Sequence, residues 1–201
     1  MYVPTHFHLD EAGALAAVAA RSAGTIVVVH GDGFEASLVP WVLDGTRLLG
    51  HVARPNPLAK LLAEPTPCLV LFDVADAYVS PSWYPSKVEH GQVVPTWNYE
   101  AVHLHGTARA IDDPVWIRAQ IEALTRRHEA DRVAPWSVDD APNDYVTRLA
   151  KGIVGIEVTV ERVEGKAKLS QNKNDADRAG VVIGLASGAA PPTVLDLMRT
   201  T

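Results

Sequence analysis

Residues 25–53 read TIVVVHGDGFEASLVPWVLDGTRLLGHVA, and their reading decides the fold. Thr25 to His30 is a run of β-branched residues, the composition of a buried strand. Gly31-Asp32-Gly33 is a tight turn, and 34–43 returns as a second strand. Asp44-Gly45 is another hairpin signal, followed by a third strand over 46–53. Three strands on two tight turns make an antiparallel meander.

Working outward, the N-terminal octet is extended, because Pro4 blocks a helix there. A helix follows over 10–21, started by Asp10 and Glu11 and closed before Gly24. Beyond the meander, Arg54-Pro55-Asn56-Pro57 ends the third strand and opens a short helix over 58–63. Strands are expected at 66–74 and 77–80. Val102, Leu104, Gly106 and Ala108 alternate with His103, His105, Thr107 and Arg109, which predicts one long strand over 96–111. Asp112-Asp113-Pro114 is a helix start, and that helix runs to about 130 with Ile117, Ile121 and Leu124 at core spacing. A shorter helix over 141–151 leads into a last long strand at 153–163. Residues 165–174 read as a polar loop. Helical segments at 175–185 and 193–198 flank a Gly-Ala-Ala-Pro-Pro break at 188–192.

Antiparallel strands with helices inserted between them predict a mainly β fold with added helices, a closed or partly closed barrel. The expected organisation is one domain over 1–187 and a C-terminal helical tail over 188–201.

The chain has 201 residues, of which 47% are hydrophobic and 21% charged, the balance of a globular protein. Its net charge of −6 argues against a strongly basic nucleic-acid footprint. The single cysteine, Cys68, excludes an internal disulfide and reads as a small core residue. The start has neither a basic head nor an apolar stretch, and no window is apolar enough to span a bilayer. A cytoplasmic chain without membrane contact is expected.

Residues 78–99 gather Tyr78, Trp83, Tyr84, Trp97 and Tyr99 among prolines, serines, Lys87 and Asn98. Pro81, Pro85 and Pro95 forbid a continuous helix and interrupt any ladder, so the segment reads as strand, rigid loop, strand. Two readings fit it. One is a surface for a flat, polar-edged ligand, with rings to stack and amides to read an edge. The other is an aromatic cluster that pins a long loop.

Three further places carry chemistry. In Gly50 to Pro57 a strand delivers Arg54 and Asn56 onto a loop before a helix, so a guanidinium fork and a helix start meet; this is a phosphate seat or an arginine salt bridge at a turn. Lys87, in the proline loop, is a second phosphate partner or a solvated lysine. Lys166, Lys168 and Ser170 share one face as a strand ends, and Gln171 and Asn172 add donors and acceptors. The pairs His6/His8 and His103/His105 lack a third ligand at diagnostic spacing, so no metal site is expected.

The segments MYVPTHF, GHVARPNP, AYVSPSWYPSK, VPTWNYEAVHLHG, IVGIEV and GKAKLSQN occur in this order and resemble the PaiB-like FMN-binding negative transcriptional regulators. The resemblance runs from Met1 to about Leu185. It implies a split β-barrel of the flavin-reductase and pyridoxamine-phosphate-oxidase kind, a homodimer, and FMN at the subunit interface. Carried onto this chain, it sets His51, Val52, Arg54 and Asn56 beside the ribityl-phosphate, with Lys87 as a further phosphate partner. Thr96, Trp97, Asn98 and Tyr99 fall near the ring system, joined by Lys168, Gln171 and Asn172. DNA is a partner by resemblance alone. The most basic helix stretch, 117–132, offsets Arg118, Arg126, Arg127 and Arg132 with Glu122, Glu129 and Asp131. A flavin-dependent oxidoreductase is the alternative, with no residue standing out as catalytic. A haem-binding barrel with His51, His90, His103 or His105 as ligand is the other.

Overall fold

The computed structural model describes residues 1–187 and 192–200. In chain order its strands are β1 (His8–Leu9), β2 (Ala23–His30), β3 (Gly33–Pro40), β4 (Val42–Asp44), β5 (Arg47–Ala53), β6 (Thr66–Val79), β7 (Thr96–Ile111) and β8 (Ile153–Lys168). Its helices are α1 (Glu11–Arg21), α2 (Pro57–Leu61), α3 (Ser86–Glu89), α4 (Pro114–Glu129), α5 (Asn143–Ala150), α6 (Asp175–Ser187) and α7 (Pro192–Thr200). The pairing order is β3-β2-β6-β7-β8-β5-β4, with β1 on β8. Every pairing with a resolved register is antiparallel.

The chain divides into two compact units. The first comprises Met1–Ala17, Asp73–His103 and Glu164–Thr201; the second comprises Val18–Phe72 and Leu104–Val163. The long strands β6, β7 and β8 each contribute residues to both.

In the second unit the expected strand over 34–43 is broken in two. Its first part pairs with β2 from Ala23↔Pro40 to His30↔Gly33, while its second part pairs with β5 at Val42↔Leu49. Trp41 makes the break. Its amide donates to Ser22 O at 2.6 Å and its indole to Gly24 O at 3.0 Å. The indole is buried, and a Cβ on Gly50 would stand 2.7 Å from it, so position 50 must be bare. Helix α4 lies against β8 by the same device: a Cβ on Gly155 would meet the Trp116 ring at 2.3 Å.

In the first unit the strand expected to end at 163 runs on to Lys168, and residues 66–79 form one strand rather than two. A core of Val79, Tyr84, Leu169, Val181, Leu185, Val194 and Met198 sits here. Helix α7, part of the expected tail, therefore packs into this core. Of the break expected at 188–192, residues 188–191 lie outside the described residues.

Candidate functional site

The proline loop settles how the aromatic residues of 78–99 divide. Trp83 lies on α6 where glycines admit it: a Cβ on Gly180 would meet Trp83 O at 2.0 Å, and one on Gly184 would meet the indole at 2.2 Å. Tyr84 is buried beside it. The Ser86 hydroxyl and amide donate to Asp177 at 2.8 and 3.1 Å, fixing the start of α3 to α6. Burial alone would raise the Asp177 carboxyl, but the Ser86 bonds outweigh it and hold the group below the usual range. Trp83 and Tyr84 thus pin the loop. Tyr78 and Trp97 do not: they are 48% and 52% exposed and meet edge to face at 6.0 Å. The pinning reading thus holds for Trp83 and Tyr84, while Tyr78 and Trp97 stand open to solvent.

Beside Trp97 the end of β8 gathers cations. The Lys168 ammonium donates to Thr96 Oγ1 at 2.6 Å and to Trp97 O, and stands 5.9 Å from the Phe7 ring centre. Lys166 donates to Tyr2 O at 3.1 Å and stands 5.2 Å over Tyr99. Lys173 lies 4.9 Å over Tyr84. Burial, with Lys166 and Lys173 close by, pulls the Lys168 ammonium below the usual lysine range. Among the described residues, neither Lys166 nor Lys168 pairs with a carboxylate.

A cleft of about 200 Å³ opens on this cluster, lined by Thr96, Asn98, Lys168, Ser170, Asn172 and Lys173. Its wall is rigid. Asn98 is fully buried, donates to Ser170 Oγ at 3.0 Å and accepts from the same hydroxyl at 3.1 Å. Ser170 holds φ 65°, the left-handed region that disfavours a side chain. Gln171 is spent on the turn itself, accepting from Leu169 N and donating to Ala167 O. Lys87 donates to Ser82 Oγ at 3.1 Å on the exposed loop. A second hollow, a groove of about 520 Å³, adjoins Trp97 and Tyr99 and is lined also by Asp73, Asp76, Glu100 and His103.

The residues expected from GHVARPNP lie in the second unit, and the structure gives most of them internal partners. His51 Nδ1 and Gln120 Oε1 are 2.7 Å apart, and the Gln120 amide donates to Leu49 O, which makes His51 Nδ1 the donor. Val52 is buried in β5. Asn56 caps α2, accepting from Leu58 N at 2.9 Å while donating to Ser37 Oγ. Arg54 grips Asp112 with two bonds of 2.8 and 2.7 Å and donates to the carbonyls of Lys151 and Ile153. Hydrogen bonding to Arg54 holds the Asp112 carboxyl below its usual range. The fork expected to meet a phosphate is thus closed by a carboxylate, and four of the five guanidinium N–H donors are engaged.

Asp112 and Asp177 were not singled out as site residues by the sequence. Only Asp112 had a signal, as the acidic residue before a helix cap. No group of three His, Cys, Asp or Glu side chains among the described residues could hold a metal ion. Burial, then Glu161, pushes the Cys68 thiol up to about 12, so it is no nucleophile at neutral pH. No helix among the described residues is long and apolar enough to cross a membrane.

An FMN molecule needs a cationic seat for its phosphate, hydroxyl and amide partners, and an open aromatic face. The end of β8, the Thr96–Asn98 segment and the Tyr78–Trp97 pair supply all three within the first unit.

Comparisons with known proteins give the family and the fold. The family model described as "Putative FMN-binding domain" matches residues 1–162. A protein of Emericella nidulans, AN0679, is 36% identical over 186 residues, covering 75% of this chain and 74% of its own. The protease synthase and sporulation protein PAI 2 of Bacillus subtilis is 30% identical over 196 residues, covering 95% of this chain and 92% of its own. Among solved structures, the FAD and haem binding protein of Mycobacterium smegmatis aligns with a TM-score of 0.59 at 19% identity, over 87% of this chain and 76% of that one. At that identity the likeness is one of fold, the split β-barrel.

Proposed function

The chain belongs to the PaiB-like FMN-binding family, and we propose that its FMN site is built on the first unit at the end of β8, just beyond the residues 1–162 that the family model matches. The observation that carries this reading is a pair of lysines, 166 and 168, without carboxylate partners in a chain of net charge −6. Such a pair is costly to keep together and favours a dianion. Lys168 would hold the phosphate, with Thr96, Asn98 and Asn172 as hydroxyl and amide partners and the ring system against Trp97 and Tyr99. Bound there, FMN would supply a ring able to accept and return electrons.

A second copy of the chain is the proposed partner. The outer positions of the β2–β3 hairpin show Val29, Phe34 and Leu38 to solvent at 67%, 76% and 71%, with Val29 directly opposite Phe34. A row of large apolar side chains on a sheet face suits burial against its like.

The test is a titration of the apoprotein with FMN and with riboflavin, which lacks the phosphate. Replacing Lys168 by Met keeps the stem and removes the charge. FMN affinity should fall roughly tenfold, the worth of one charge-assisted contact, while riboflavin affinity stays within about twofold. An equal loss for both ligands would remove the phosphate from Lys168. Light scattering on the same samples reads the oligomeric state, and a monomer at all concentrations would remove the second copy.

A further inference from the structure

The lysine cluster at the end of β8 is arranged for more than charge. Lys168 Nζ donates to Thr96 Oγ1 at 2.6 Å and to Trp97 O. Its third position meets no further acceptor among the described residues. Two acceptors and one open position are the complement of a neutral amine, which carries two protons and a lone pair. An ammonium carries three protons, and here the third would go without a hydrogen bond.

The surroundings weigh the same way. Lys168 is partly buried, and among the described residues no carboxylate pairs with it. Burial first, then the like charges of Lys166 and Lys173, lowers its ammonium from the usual lysine range. The Phe7 ring favours the charge, but its centre is 5.9 Å away, near the limit of that attraction. Desolvation and a neighbouring cation are the two devices that turn a lysine into a nucleophile. An ordinary lysine holds only about 0.04% of its amine free at pH 7, so a modest fall sets one lysine apart from the rest.

The amine stands on the cleft of about 200 Å³ that it shares with Thr96, Asn98, Ser170, Asn172 and Lys173. That volume suits a body of a few carbons, since drug-sized ligands take about 300–1,000 Å³. Lys173 gives the same wall a second positive charge. A nucleophilic amine beside a cation selects a small electrophile that carries an anion.

We propose that Lys168 is a nucleophilic amine and that the cleft takes a small α-oxo acid, an aldehyde or ketone next to a carboxylate, as an imine on Lys168 Nζ. The nitrogen lone pair attacks the carbonyl carbon. The two amine protons pass to the carbonyl oxygen, which leaves as water, and a C=N bond takes the place of C=O. No oxidant or reductant enters the step. Lys173 holds the carboxylate. The inference rests on the flavin reading above for one expectation only: FMN competes for the same seat, and its phosphate returns Lys168 to the charged form.

The test treats the full chain with glyoxylate or with glycolaldehyde, its uncharged counterpart, and fixes any imine with cyanoborohydride. Mass mapping reads the label on each lysine, with the exposed Lys60 and Lys151 as references on the same chain. At pH 7 Lys168 should take glyoxylate at least about tenfold faster than either reference. Its rate should level off at a lower pH than theirs, and its preference for glyoxylate over glycolaldehyde should exceed theirs. Lys166→Met and Lys173→Met should each slow it, because each removes a like charge. Even labelling of the three lysines would overturn the proposal, and so would a Lys168 rate that levels off with the references or survives both substitutions. These readouts need no variant of Lys168 itself. Repeating the labelling with saturating FMN separates the two readings. Selective label that FMN does not slow keeps the amine and moves the flavin elsewhere. Protein that binds FMN and shows no selective label keeps the flavin site and refutes the amine.

Discussion

Ser170 offers a substitution pair in which the usual order of alanine and glycine should invert. The residue holds φ 65°, where a Cβ costs roughly 1–2 kcal/mol. Its hydroxyl exchanges two hydrogen bonds with Asn98, at 3.0 and 3.1 Å, and Asn98 is fully buried. Ser170→Ala keeps the strained Cβ and strips Asn98 of its donor. The orphaned amide oxygen should make the fold about 1–3 kcal/mol less stable. Ser170→Gly strips the same hydroxyl but removes the strain. Glycine carries its own cost of about 0.5–1 kcal/mol relative to alanine, through freedom lost on folding. The difference leaves the glycine variant roughly 0.5–1 kcal/mol more stable than the alanine one. Equilibrium unfolding in urea, with equal slopes for the three proteins, reads both gaps directly. An alanine variant as stable as the glycine one would refute the strain argument. Two variants as stable as the parent would refute the claim that the Asn98 bond holds the cleft wall.

The Arg54–Asp112 pair predicts a pH effect and tests the second unit's part in flavin binding. The folded-state value of the Asp112 carboxyl is depressed, so its contribution is complete above the ordinary aspartate range and is lost as pH falls through the depressed value. Asp112→Asn should therefore lose stability at neutral pH and show a flatter acid limb in thermal melts. It also frees the Arg54 fork: tighter FMN binding in this variant would give Arg54 a phosphate role, and an unchanged affinity would leave it structural. Gly106→Ala should not yield a folded chain, because its Cβ would fall 2.1 Å from Thr159 O across the β7–β8 pairing; soluble, folded protein would refute that close approach.

Much of the sheet was legible because its cues are local. The alternation around His103 and His105 placed β7 at 96–111 with both ends correct. The β-branched run and its glycine turn placed β2 and the start of β3. What failed depended on distant partners. Nothing near Trp41 announces that its amide will meet Ser22 O, so the strand over 34–43 read as continuous. Lys166 looks like a loop residue until β1 pairs with it, His8 opposite Lys166, and β8 runs on to Lys168. The site followed the same rule. Lys168, Thr96, Asn98, Trp97, Tyr99 and Asn172 come together around the two hollows of the first unit. Arg54 stayed open between a phosphate seat and a salt bridge because Asp112 is 58 residues away.

Arg54 is also a rivet. One side chain ties the end of β5 to the entrance of α4 through Asp112 and to the α5–β8 junction through the carbonyls of Lys151 and Ile153. Any anion that claimed the guanidinium would have to take it from at least one of those holds. Occupancy at this point would then be felt as a loosened seam at 151–153, visible as faster amide exchange there.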